Sequence, residues 1–121
     1  VLDEAAAESP ALRVGIPSEG IEHSYYKHYV FVRPERLAPG WDRDRIMVAI
    51  QAEGIPTGSG SCPELYLERA FPASLRPPER LPVARELGAT SLMFMVHPTL
   101  EQADMEDTAA ALLKVMAEAT A

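Results

Sequence analysis

The side chains with the most chemical scope in this chain are three histidines, a single cysteine and a loop rich in glycine and hydroxyls. His23 and His28 are five residues apart, and His97 lies far along the chain beside Pro98. No pair has the i, i+4 spacing of two metal ligands on a helix and no carboxylate triad accompanies them, so no zinc or iron site is expected. His97 closes an apolar run, where it serves either as a hydrogen-bonded structural residue or as a functional group on a loop. Cys62 follows Ser61 and precedes Pro63 at an expected helix start, a location that lowers a thiol pKa. It has two readings: a nucleophile if a histidine pairs with it, and an inert thiol in the absence of a local signature.

The loop Thr57-Gly58-Ser59-Gly60-Ser61 combines backbone amides, three hydroxyls and little bulk, features that suit an anion such as phosphate. It has no Gly-Lys-Ser/Thr ending, so it is no Walker loop, and a plain turn is the alternative. Tyr25, Tyr26 and Tyr29 present rings that either stack on a base or sugar or pack in a sheet. One flanking lysine, Lys27, and no basic patch argue against nucleic acid. None of these groups forms a complete catalytic centre.

The elements that must position them follow from periodicity and punctuation. Residues 1–22 have no clear period; an Ala-rich stretch, then Pro10, Gly15, Pro17 and Gly20, predict the end of a helix leading into a loop. Tyr25 to Val32, aromatic and β-branched, predicts a strand. Its alternation puts Tyr25, Lys27, Tyr29 and Phe31 on one face and Tyr26, His28, Val30 and Val32 on the other. Next comes a helix capped by Asp42, stapled by Trp41 and Ile46, facing inward through Ile46, Ala49 and Ile50, and stopped by Gly54. Ile55 to Ser61 is a short strand or extended loop. A short helix over Glu64–Ala70, a Pro-rich loop, and a helix over Glu79–Leu87 with Gly88 as its stop are predicted next. The apolar run Leu92–Val96 is too short for a helix and predicts a buried strand. A last helix starts from a capping box of Thr99 and Gln102, its core face formed by Met105, Ala109, Leu112, Leu113 and Met116. The expected fold class is α/β (α+β), a small sheet of about three strands with helices on one face.

Length and composition bound what this can be. The 121 residues, 47% hydrophobic and 24% charged, suffice for one ordinary domain with a single core and are too apolar for disorder. No apolar run approaches the ~18 residues of a membrane span, and no basic-then-apolar leader begins the chain. One cysteine rules out an intrachain disulfide framework and fits a reducing cytoplasm. The net charge of −7 argues against nucleic acid or an anionic membrane as a main partner. That acidity is terminal: residues 23–97 hold eight acids and nine bases. The chain starts at Val1, has no methionine before Met47 and contains only two lysines, Lys27 and Lys114, so it is expected to be a piece of a longer protein.

The order of segments carries a resemblance. HSYYKHYVFVRPERL is followed by DRDRIMVAIQAEGIPTGSGSCPELYLERAF, then RLPVARELGATSLMFMVHPTL, then an acidic amphipathic helix. Over residues 23–121 this resembles the C-terminal part of the DegT (StrS) family of pyridoxal-phosphate (PLP) sugar aminotransferases. The matching features are the His-Tyr strand from His23 to Val32, Gly54-Ile55, the "A-x-x-L" helix from Ala84 to Leu87, and the "H-P-x-L" residues from His97 to Leu100. The resemblance implies a small C-terminal domain (residues 23–121, with 1–22 as lead-in) of a fold related to aspartate aminotransferase. It further implies a large PLP-binding domain on the same polypeptide, a homodimer in the cytoplasm, and amino transfer from glutamate to a nucleotide-linked keto-sugar. The family's Schiff-base lysine, the Asp that pairs the pyridine nitrogen and most phosphate ligands lie upstream and have no counterpart here. PLP is therefore expected in the parent enzyme and not on this chain alone. Many members carry a His-Tyr pair after the Gly-Ile-x-Thr segment, where Gly58 to Cys62 stand instead. Ser59, Ser61, Cys62 and His97, with Tyr26, are thus the expected substrate-facing residues, and no catalytic residue is expected. The alternative is a free-standing ferredoxin-like module that binds an anionic metabolite through Gly58–Ser61; a third reading is a pure oligomerisation domain.

Overall fold

The strand over Lys27–Val32 (β2) forms because its alternating residues can bury one face and leave the other half-exposed: His28, Val30 and Val32 are buried, and Lys27, Tyr29 and Phe31 are half-buried. The computed structural model describes residues 1–121. β2 pairs antiparallel with β4 (Ser91–Met95), with Lys27 opposite Met95 and Val30 opposite Leu92. On its other side β2 pairs with β1 (Leu12–Val14), and β4 pairs with the two-residue β3 (Thr57–Gly58). The sheet has four antiparallel strands in the order β1-β2-β4-β3. The fold class is as expected, with one strand more. β1 lies in the stretch read as loop, where three residues are too few to display a period. β2 starts two residues later than predicted, because Tyr25 sits at φ 45°, in the left-handed region, and breaks the extended run.

The register sets Val30 beside Leu92 and His28 beside Phe94, giving one apolar face. Helices α1 (Leu2–Glu8), α2 (Arg43–Ala52) and α4 (Gln102–Ala119) cover it. Ile46 and Ile50 of α2 and Leu112 of α4 are fully buried, and with Leu2 and Ala6 of α1 they complete the core around Val30, Leu92 and Phe94. As predicted, Asp42 caps α2, its carboxylate accepting the Arg45 amide at 2.8 Å, and Gly54 ends it at φ 88°. The core face of α4 is also as predicted, with Ala109, Leu112 and Met116 buried and Met105 and Leu113 packed against them. Its capping box, however, is Glu101 and Asp104 rather than Thr99 and Gln102. The Thr99 hydroxyl and amide are both engaged by His97 Nδ1, which leaves Glu101 to cap.

The opposite face is built differently. No residue from Gln51 to Ala89 is buried. The helix expected over Glu64–Ala70 is a single 3-10 turn at Leu65–Leu67, and a second turn spans Ala73–Leu75; Pro63 and Pro72 flank them and deny the amides a longer helix needs. Helix α3 (Pro82–Thr90) starts with proline in its first turn, as expected, but runs through Gly88 and feeds directly into β4. Gly88 is there for contact rather than termination, since a Cβ would overlap the Pro63 ring. Glu86 of α3 meets Arg13 at 3.2 Å, and Arg13 lies 4.6 Å over the Phe31 ring. α3 therefore adjoins the Tyr29–Phe31 face, so not every helix is on one side. No helix is long and apolar enough to cross a membrane.

Candidate functional site

The Gly58–Cys62 loop leaves β3 and crosses to β2 on the half-exposed face. Its shape is imposed from below by the sheet. Thr57 Oγ1 donates to the Met93 carbonyl at 2.8 Å, the Gln51 side chain donates to the Thr57 carbonyl at 2.9 Å, and Ser91 Oγ donates to the Ser59 carbonyl at 2.7 Å. Tyr29 supplies the fourth restraint: its hydroxyl accepts the Ser61 amide at 3.1 Å and lies 3.4 Å from Ser61 Oγ. The Ser61 hydroxyl holds the Tyr29 phenol below its usual pKa, against the opposing effect of burial. Gly60 rests on the Tyr29 ring at φ +89°, where any Cβ would overlap that ring. Only glycine satisfies both conditions.

These restraints decide what the loop can offer. Of the three hydroxyls counted in the sequence, that of Thr57 is spent on the sheet, and the Ser61 amide is turned into Tyr29. A cradle of free amides for a bare anion is thereby reduced. The side chains of Ser59, Ser61 and Cys62 are left exposed on a fixed backbone.

Beyond the loop, a polar network unanticipated from sequence ties residues 62–81 together. The Arg80 guanidinium binds the Glu64 carboxylate through Nε at 2.9 Å and through a second contact from Nη2. Tyr66 donates to the same carboxylate at 2.6 Å and accepts the Leu81 amide at 3.0 Å. Arg80, then Tyr66, hold the Glu64 carboxyl down at about 2, and burial together with Glu64 pushes the Tyr66 phenol up. Cys62 Sγ donates to Glu68 Oε1 at 3.2 Å, and that carboxylate raises the thiol pKa. This reverses the expectation of a lowered thiol: a three-residue turn provides no helix terminus, and the nearest charge is negative.

His97 and Tyr26 lie elsewhere. His97 is six residues past Ser91, about 20 Å of extended chain from the Ser59 contact. It lines a cavity of about 460 Å³ between the α2–β3 connection, the end of β4 and the start of α4, together with Ile55, Phe94, Asp104 and Asp107. The Thr99 amide donates to its Nδ1 at 3.3 Å, so the ring offers Nε2 outward. Tyr26 is 85% exposed beside Lys27, whose position opposite Met95 puts both at the His97 end of the sheet. The five expected residues thus divide into a loop group, Ser59, Ser61 and Cys62, and an end group, His97 and Tyr26. The third histidine position of interest, His28, is buried with Nε2 on Asp3 at 2.8 Å.

The lysines bear on a cofactor. Lys27 Nζ lies 5.2 Å over the Tyr26 ring, and Lys114 Nζ pairs with Glu53 at 2.7 Å. Neither stands beside a glycine-rich turn that could hold a phosphate, so this chain's residues do not fit a PLP site. No group of three or more histidine, cysteine or acidic side chains is placed to hold a metal ion.

Comparison with solved structures gives the architecture its relatives. An aminotransferase from Psychrobacter cryohalolentis aligns with 96% of the chain at 43% identity and a TM-score of 0.88. A DegT DnrJ EryC1 StrS aminotransferase from Brucella abortus aligns with 92% at 23% identity and a TM-score of 0.73. The chain has the fold of the aligned part of both aminotransferases. The aminotransferase TlmJ from Streptoalloteichus hindustanus shares that fold, with a TM-score of 0.77 and 22% identity over 96% of the chain. The chain spans only 32%, 27% and 29% of these three aminotransferase chains respectively. No protein-family profile and no curated protein matches it.

Proposed function

We propose that this chain, with α1 and β1 as part of its core, is the C-terminal small domain of a cytoplasmic, homodimeric, PLP-dependent aminotransferase. That enzyme moves an amino group from glutamate to a nucleotide-linked keto-sugar. The observation that carries the reading is the 43% identity and TM-score of 0.88 to the Psychrobacter aminotransferase across 96% of the chain. Identity at that level over a whole domain supports shared chemistry as well as shared fold.

PLP supplies the electron sink for amino transfer, and the parent's large domain would hold it. The contribution of this chain is positional. Ser59 and Ser61 present hydroxyls from a backbone immobilised by Tyr29, Ser91 and Thr57, an arrangement suited to a hydroxyl-rich ligand such as a sugar. Cys62 stays protonated beside Glu68 and lines the same rim as a neutral thiol rather than a nucleophile. His97 Nε2 and Tyr26 reach the ligand from the other end of the sheet.

The test is to trap the cofactor. The parent polypeptide, reduced with borohydride in the presence of PLP and digested, should carry the label on a lysine outside these 121 residues. Label on Lys27 or Lys114, or a reading frame with no upstream lysine-bearing domain, would overturn the proposal.

A further inference from the structure

Between Cys62 and Val83 the molecule exposes an unusual amount of apolar surface for a segment that buries nothing. Leu65, Leu67, Leu75, Leu81 and Val83 are 53, 41, 65, 48 and 65% exposed. The Glu64–Arg80 pair and the Tyr66–Leu81 hydrogen bond draw the two ends of the segment together, so Leu65 and Leu67 are brought toward Leu81 and Val83. A loop without a core of its own is nonetheless held in one conformation by charged and aromatic clasps. Water alone gives such an arrangement no apolar reward. The charge pattern marks the same region. From Cys62 to Gly88 there are four glutamates and four arginines, so the net −7 of the chain falls entirely outside it. A neutral apolar patch on an acidic molecule is where a partner meets the least repulsion and the least desolvation cost.

We infer that residues 62–83 are the surface on which the cofactor-binding domain of the same polypeptide docks. This rests on the aminotransferase reading. Two observations favour that occupant over a second copy of this chain. The patch is continuous with the Gly58–Cys62 loop, whose exposed hydroxyls must face the cofactor domain if they are to reach a substrate there. The matched aminotransferases are also about three times as long as this chain, which aligns with 32% of the first of them, so most of such a polypeptide remains to cover a surface.

The experiment compares hydrogen exchange of residues 62–83 in the parent polypeptide and in the 121-residue chain. Docking predicts exchange at least tenfold slower in the parent. It also predicts that Leu81→Glu together with Val83→Glu abolishes that protection in the parent while leaving the melting temperature of the 121-residue chain unchanged. Val48→Glu, at an exposed position on α2, is the control and should leave the protection intact. Equal exchange in both proteins would overturn the docking while leaving the aminotransferase reading in place. So would a 121-residue chain that dimerises and becomes monomeric in the Leu81→Glu variant. A parent with no cofactor-binding domain would remove both.

Discussion

The two faces of the sheet are held by different physics. On the Val30, Leu92 and Phe94 face, three helices exclude water, and the interaction is apolar, non-directional and additive over area. On the Tyr29 and Phe31 face, Tyr29, Ser91, Arg13 and the Glu64–Arg80 pair act one bond at a time through directed polar contacts. The first kind of surface makes a domain stable and is tolerant of shape. The second fixes the position of a loop to within a hydrogen bond, which stability does not require and ligand binding does.

The contrast can be broken most severely from the core. Phe94→Ala removes a ring that is 1% exposed and leaves a cavity, so it should cost about 3–5 kcal/mol, read as a fall in the urea midpoint of the 121-residue chain. Gly60→Ala should cost less, about 1–3 kcal/mol, because it strains the left-handed backbone and pushes the Tyr29 ring away. Its diagnostic effect is local: faster amide exchange at Ser61 with the helices α2 and α4 unchanged. The smallest effect on global stability belongs to Glu64, and it depends on pH. Arg80, and then Tyr66, hold its carboxyl at about 2 in the folded chain, below the usual carboxylate value of 4.5. The clasp therefore stabilises the segment fully above about 4.5 and loses that contribution as pH falls toward about 2. Exchange protection of residues 64–81 should be flat from pH 7 to 5 and decline below pH 4.5. Glu64→Gln should abolish the decline by weakening the clasp at every pH.

The same division explains what could be read from the amino-acid order. β2, β4, α2 and α4 were legible because alternation, an apolar run, a cap at Asp42 with a stop at Gly54, and Leu/Met spacing are local patterns. The family resemblance was legible for a related reason, as it rests on the succession of those segments. The polar face was not. Tyr29 and Ser61 are 32 residues apart, and Glu64 and Arg80 are 16 apart. Such pairs leave no periodic trace. Gly60 and Gly88 looked like ordinary turn residues, yet both are small because a neighbouring ring occupies the space of a Cβ. Position alone predicts a lowered pKa for the Cys62 thiol, but Glu68 reaches it through space and no helix begins there, which leaves the inert-thiol reading.

The central proposal is that this domain completes an enzyme that transfers an amino group to a keto-sugar. Its most direct test is to incubate the parent polypeptide with PLP, glutamate and a panel of nucleotide-linked keto-sugars and to quantify both products. The account predicts 2-oxoglutarate and amino-sugar in equal amounts, with a several-fold higher KM for the sugar, and an unchanged KM for glutamate, in the Tyr29→Phe variant. Amino transfer to none of these sugars, or a Tyr29→Phe variant that alters only the glutamate KM, would contradict it.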